Sequence, residues 1–139
     1  MQYITGLHAL NIPCKLNTSG DWHRGSLDWD NPTTKESTNS IFGDWGLEPY
    51  RDTYKANHLR AILDIMEDGE KLPLIDNFHS DFISSSEYDE IFKEKVSLLK
   101  DVPHWREVEC LMDNCMPRKR LSREELIRNG KLRQRRRTH

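Results

Sequence analysis

The stretch TYKANHLRAILDIMEDG, residues 53–69, carries the clearest structural pattern in this chain of 139 residues. Four apolar side chains recur at the spacing of one helix face: Leu59, Ile62, Leu63 and Met66. This spacing predicts a helix over Thr53–Asp68, and the Gly69 that follows is typical of a C-terminal cap. Because Arg60 and Asp64 stand four residues apart, we expect them to pair on a solvated face of this helix.

Two further segments show the same helical periodicity. A second helix is predicted to begin at Ser84–Ser86, where the pattern resembles a capping box. Its apolar residues are Tyr88, Ile91, Phe92, Val96 and Leu99. A third helix is predicted from the Asp101–Pro103 region to about Asn114. Its apolar residues are Trp105, Val108, Leu111, Met112 and Cys115.

The N-terminal part differs in character from the helical part. The residues QYITGLHALNI predict a strand over Tyr3–Ile12, which Pro13 would end. Short extended pieces at Ser26–Trp29 and Ser40–Trp45 are candidates for further strands. The polar run NPTTKESTNS, residues 31–40, is expected to be an exposed connection. A small N-terminal β-sheet followed by about three helices predicts an α+β domain.

The charged residues are divided unevenly along the chain. Lys and Arg number 21 and Asp and Glu number 23, which gives a formal net charge of −2. Residues 117–139 contain ten basic and two acidic residues, a net charge of +8, so residues 1–116 carry −10. We therefore expect a compact acidic domain, 1–116, and a basic C-terminal tail, 117–139. Within the tail, the capping-box spacing of Ser122 and Glu125 predicts a short helix.

This division of charge points to two kinds of partner. The tail is expected to contact RNA or DNA, or else an acidic protein surface, which includes its own domain. The residues predicted to bind nucleic acid are Arg118, Lys119, Arg120, Arg133, Arg135, Arg136 and Arg137. The acidic domain would repel nucleic acid, so we expect it to bind a protein partner.

The sequence also predicts where the protein resides. No run of about 18 apolar residues occurs, so no membrane partner is expected. The N-terminus lacks the basic flank and cleavage site of a signal peptide. The three cysteines, Cys14, Cys110 and Cys115, are an odd number without C-x-x-C spacing, which favours thiols in a reducing compartment. We therefore predict a cytoplasmic location.

The residues best suited to catalysis are His8, Asp21 and His23. In this hypothesis His23 is a general base, Asp21 or Asp28 orients its ring, and His8 donates a hydrogen bond to substrate. The competing interpretation is structural, with His8 satisfying a buried backbone group and Asp21 closing a turn. The spacings of His8, Cys14 and His23 match no compact zinc signature, and no nucleotide-binding glycine loop occurs. No metal and no cofactor are therefore predicted.

Three short runs near the N-terminus carry a resemblance. ITGLHALNIPC (4–14), GDWH (20–23) and SLDW (26–29) resemble the opening of small bacterial proteins from toxin–antitoxin or phage-defence loci, and ANHLRAILDI (56–65) matches more faintly. The resemblance implies an accessory protein and assigns no catalytic residues. Together with the charge division, it predicts an antitoxin-like regulatory protein that binds a protein partner. The alternative is a small toxin-like enzyme, an RNA- or nucleotide-directed nuclease or transferase.

Overall fold

The computed structural model describes residues 1–16, 27–75, 78 and 86–115, and it is an α+β fold, as predicted. The strands are β1 (Gln2–Ile4), β2 (Thr34–Glu36), β3 (Leu47–Tyr50) and β4 (Thr53–Ala56). The α-helices are α1 (Gly6–Leu10), α2 (His58–Asp68), α3 (Ser86–Val96) and α4 (Trp105–Cys115). Short 3-10 turns occupy Ser37–Asn39, Leu72–Ile75 and Ser97–Leu99.

The four strands form one sheet in the order β2-β1-β4-β3. Strand β1 is antiparallel to β2 and parallel to β4, where Ile4 aligns with Lys55. Strands β3 and β4 form an antiparallel hairpin, in which Leu47 aligns with Ala56. The sheet therefore places the N-terminal strand at its centre, next to the strand that leads into α2.

The prediction of a strand over Tyr3–Ile12 is confirmed only as far as Ile4 and is wrong beyond it. Strand β1 ends at Ile4, and the chain turns at Gly6, whose φ of 62° lies in the left-handed region. Helix α1 follows directly and packs against α2. Its residues include no β-branched side chain, and Leu and Ala are good helix formers, so the local preference agrees with a helix.

The helix predicted over Thr53–Asp68 is confirmed for its main part. The first four residues of the predicted range instead form β4, because the β-branched Thr53 and the aromatic Tyr54 favour a strand. The helix begins after Asn57, whose side chain accepts a hydrogen bond from the Arg60 N–H at 2.8 Å. It ends at Gly69, which has a φ of 86° and is the expected left-handed cap.

The predicted short strands are placed wrongly. Residues 31–40, expected to be a connection, contain β2, whereas Ser40–Trp45 forms turns and residues 27–29 form no strand. Ser26 lies outside the described residues. Strands β2 and β3 are the two edges of the sheet, and edge strands tolerate charges and proline, here Lys35 and Pro49. Their composition is therefore that of a loop.

The predicted apolar faces of the second and third helices are confirmed, and both helices pack against one core. The buried residues of the second predicted helix are Phe92, Val96 and Leu99, and those of the third are Val108 and Leu111. The core centres on α2, which is buried throughout His58–Met66. Its other members come from β1, α1, β4, the turn at 42 and the segment around 72–78: Tyr3, Ala9, Leu10, Phe42, Ala56, Leu72, Ile75 and Phe78.

Candidate functional site

An ion pair between Arg60 and Asp64 lies in the middle of the core. The two side chains are 0% and 1% exposed, and the Arg60 Nε donates to the Asp64 Oδ1 at 2.9 Å. The guanidinium also donates to the Tyr3 hydroxyl oxygen at 2.9 Å and to the Trp45 carbonyl. The predicted pairing is therefore confirmed, but the predicted solvated face is wrong, because sheet, turn and helices enclose this face of α2.

The second oxygen of the Asp64 carboxylate accepts two hydroxyl hydrogen bonds. Tyr3 donates at 2.7 Å and Thr5 at 2.6 Å. Burial, together with the Asp64 charge, raises the pKa of the Tyr3 phenol far above its ordinary range, so the phenol remains a donor. We call Tyr3, Thr5, Arg60 and Asp64 the buried ionic cluster. It joins β1, α2 and the turn at Trp45, and each charged group in it has a partner.

A small cavity of about 150 Å³ lies beside the buried ionic cluster. Its lining residues are Thr5, Gly6, Leu7, Thr33, Asp64, Ile65, Asp68, Glu70 and Lys71. Both Asp64 oxygens are already occupied by protein donors, and Asp68 accepts a hydrogen bond from Lys35 at 2.9 Å. Asp64 and Asp68 are therefore used within the protein, and only the exposed Glu70 adds a further carboxylate to this lining, so we interpret the buried ionic cluster as a structural feature of the core.

His8, the first of the predicted catalytic residues, is 6% exposed and lies on α1. Its Nδ1 accepts a hydrogen bond from the Thr33 N–H at 3.1 Å, so the ring donates from Nε2 to the Asp28 carbonyl at 2.9 Å. The Trp29 ring packs edge-on against it at 5.1 Å. The predicted backbone-satisfying role of His8 is thus present. Asp21 and His23 lie outside the described residues, so their convergence with His8 stays a prediction.

Two other histidines also form hydrogen bonds with backbone carbonyls. His58 donates from Nε2 to the Ile12 carbonyl at 2.7 Å, and burial lowers the pKa of its ring. His104 contacts the Met66 carbonyl at 2.6 Å through Nε2. Among the described residues, no three His, Cys, Asp or Glu side chains are arranged to hold a metal ion. None of Cys14, Cys110 and Cys115, all of which are described, forms a disulfide.

Most of the cations that are buried or half-buried in the described residues pair with carboxylates that are themselves buried or half-buried, and Lys35 also pairs with the exposed Asp68. Lys35 contacts Glu67 and Asp68 at 2.9 Å each, and Lys55, whose side chain is 5% exposed, contacts Glu48 at 2.7 Å. The hydrogen bonds to Glu67 from the Ile41 N–H, Lys35 and Ser40 lower the pKa of its carboxyl group against the opposing effect of burial. These pairs leave few cations for the surface.

The surface of the described residues is consequently rich in carboxylates. Six basic residues are exposed: Lys15, Arg51, Lys71, Lys93, Lys100 and Arg106. Thirteen acidic residues are exposed: Asp28, Asp30, Asp44, Asp52, Asp68, Glu70, Glu87, Glu90, Glu94, Asp101, Glu107, Glu109 and Asp113. The acidic excess of the sequence is therefore an excess at the surface, where a partner can meet it.

A second, wider cavity is an open groove of about 630 Å³ between the 3-10 turn at 72–75 and α4. Leu72, Pro73 and Leu111 line it, together with Glu107 and the exposed Cys110. Sequence reasoning did not find this groove, because it is formed by two segments that are distant along the chain.

The predicted nucleic-acid residues, Arg118 to Arg137, all lie outside the described residues. Among the helices that are described, none has the length and apolar character needed to cross a bilayer. Comparison with protein-family models, curated proteins and solved structures finds no match to this chain. The site must therefore be interpreted from its own chemistry.

Proposed function

We propose that the protein is an antitoxin-like regulatory accessory whose acidic surface binds a basic protein partner. The observation that carries this proposal is the excess of thirteen exposed carboxylates over six exposed cations in the described residues. Opposed charge accelerates association with a basic partner and repels polyanions from the same surface. A toxin that binds RNA or DNA presents such a basic surface, and an acidic protein can cover it.

The arrangement of the interior supports a binding role. The buried cations Lys55 and Arg60 are held by Glu48 and Asp64, so removing them from the surface leaves no unpaired charge inside. The position of His8 supports a binding role too, because both of its ring nitrogens bond to the backbone of Asp28 and Thr33 and it lines neither of the two cavities described above. A rigid domain with an acid-rich exterior is suited to binding more than to acid–base chemistry.

The proposal is tested by co-expressing the tagged full-length chain with the protein encoded by the adjacent gene. We expect the two to co-purify at low salt and to separate as salt is raised, and we expect the chain to relieve any growth arrest that the neighbour causes. The association rate is then measured with Glu107→Gln/Glu109→Gln/Asp113→Asn on α4 and with Glu87→Gln/Glu90→Gln/Glu94→Gln on α3.

Neutralising carboxylates lowers the local field, so the combined six-site variant is expected to associate at least about tenfold more slowly at low salt. The matched control removes cations from the same helices, with Lys93→Gln and Arg106→Gln, and is expected to associate faster. If the neighbour does not co-purify at low salt, or if the six-site variant binds like the wild type, the proposal is wrong.

A further inference from the structure

The groove between the turn at 72–75 and α4 is lined by both apolar and acidic side chains. Leu72, Pro73 and Leu111 supply the apolar lining, and Glu70 and Glu107 also line it. Arg106 is the one cation in that lining, whereas Glu109 and Asp113 are further exposed carboxylates on α4. An occupant of this groove would therefore combine apolar side chains with positive charge.

The remaining chain leaves α4 next to this groove. The helix ends at Cys115, about one turn beyond Leu111, and residues 116–139 follow. Ten basic residues in 117–139 surround four apolar ones: Leu121, Leu126, Ile127 and Leu132. Leu121 and Leu126 flank the predicted cap Ser122 at the spacing of a hydrophobic staple, which would bring their side chains together.

We propose that residues 117–139 bind in this groove of their own chain. Leu126 and Ile127 would contact the apolar lining, while the basic side chains face Glu70 and Glu107. The covalent connection supports this pairing, because a short tether gives the segment an effective concentration in the millimolar range. The inference does not depend on the proposed function, since it concerns an intramolecular contact that is measured at Cys110 without any partner, although Glu107 belongs to both surfaces.

Such a contact would be autoinhibitory. Basic residues held against the domain are not available to a polyanion, so nucleic acid would have to displace the segment from the groove. The apparent association constant for nucleic acid is then the intrinsic constant multiplied by the fraction of molecules in which the segment is released. A ligand that fills the groove would raise that affinity.

The exposed thiol of Cys110 provides the test, because a segment bound in the groove would cover it. The full-length chain is treated with iodoacetamide, and alkylation of the Cys110 peptide is followed by mass spectrometry. We expect the wild type to react about tenfold more slowly than Leu126→Asp/Ile127→Asp, because a thiol covered for nine-tenths of the time reacts at about one tenth of its open rate. Added salt should speed the wild-type reaction.

Two matched controls separate apolar contact from charge. Gln134→Asp/Thr138→Asp adds the same charge as the leucine–isoleucine variant but is expected to keep most of the protection. On the groove side, Pro73→Lys should raise the rate, whereas Leu74→Lys, at a 48% exposed side chain outside the groove lining, should not. Equal rates for the wild type and Leu126→Asp/Ile127→Asp at low salt would overturn the proposal. Protection that grows with protein concentration, together with a dimer mass, would also overturn it by assigning the groove to a second copy.

Discussion

Removing the Arg60 side chain should be among the most destabilising single changes in this protein. In Arg60→Met, the Asp64 carboxylate keeps its two hydroxyl donors but loses its cation at a site that is 1% exposed. Leaving one partner of a buried ion pair uncompensated costs about 3–5 kcal/mol. Because domains of this kind are stable by about 5–15 kcal/mol, the variant would lose about a fifth or more of its folding free energy.

The measurement is urea unfolding followed by tryptophan fluorescence. With a slope of about 1–3 kcal/mol per molar urea, a loss of this size moves the midpoint by about 2 M. Arg106→Met is the control, because Arg106 is exposed and its replacement should change stability by less than about 0.5 kcal/mol. The double variant Arg60→Met/Asp64→Leu should be more stable than Arg60→Met alone, since it leaves no buried charge behind.

Two results would refute this reasoning. One is a cost for Arg60→Met no greater than that for Arg106→Met. The other is a double variant that loses as much as the two single variants added together, because additivity would mean that Arg60 and Asp64 do not interact energetically.

Three further predictions concern other parts of the chain. Burial lowers the pKa of His58, so as the pH falls the unfolded state binds a proton at a higher pH than the folded state does. The free energy of unfolding should therefore fall as the pH drops from about 7 to 5.5. In unfolding curves measured across that range, His58→Gln should show a smaller decline. Gly69→Ala should lower the melting temperature more than Gly43→Ala, because a Cβ at Gly69 would lie 2.8 Å from the His104 ring whereas one at Gly43 meets nothing within 4 Å; equal losses would contradict this. Deleting residues 117–139 should abolish salt-sensitive RNA or DNA binding in fluorescence-anisotropy titrations, and unchanged binding would exclude the tail as its source.

Local sequence patterns predicted the helices because helical periodicity is itself local. The stripe on α2 and the Gly69 cap lie within one segment, and so do the stripes on α3 and α4, so each could be recognised without knowing its neighbours. The α1 segment was misassigned because the β-branched residues before it extended the strand pattern past Gly6, where the chain actually turns.

The buried ionic cluster could not be predicted from charge spacing. The separation of Arg60 and Asp64 indicates that they can pair, but burial depends on Tyr3, Thr5 and the turn at Trp45, which come from elsewhere in the chain. One local signal was available. Ala61 and Ile65 add apolar residues outside the main stripe of α2, as in helices that are surrounded on every side.

The central position of β1 has a consequence for how the protein is made. Its parallel neighbour β4, where Lys55 aligns with Ile4, is synthesised long after it. A nascent chain that has emerged only as far as β2 would expose one edge of β1. The Tyr3 and Thr5 hydroxyls would then lack their hydrogen-bond acceptor, Asp64, which has not yet been synthesised. Unpaired strand edges promote aggregation, so translational pausing between β2 and β4 should expose the newborn chain to chaperones or to misassembly.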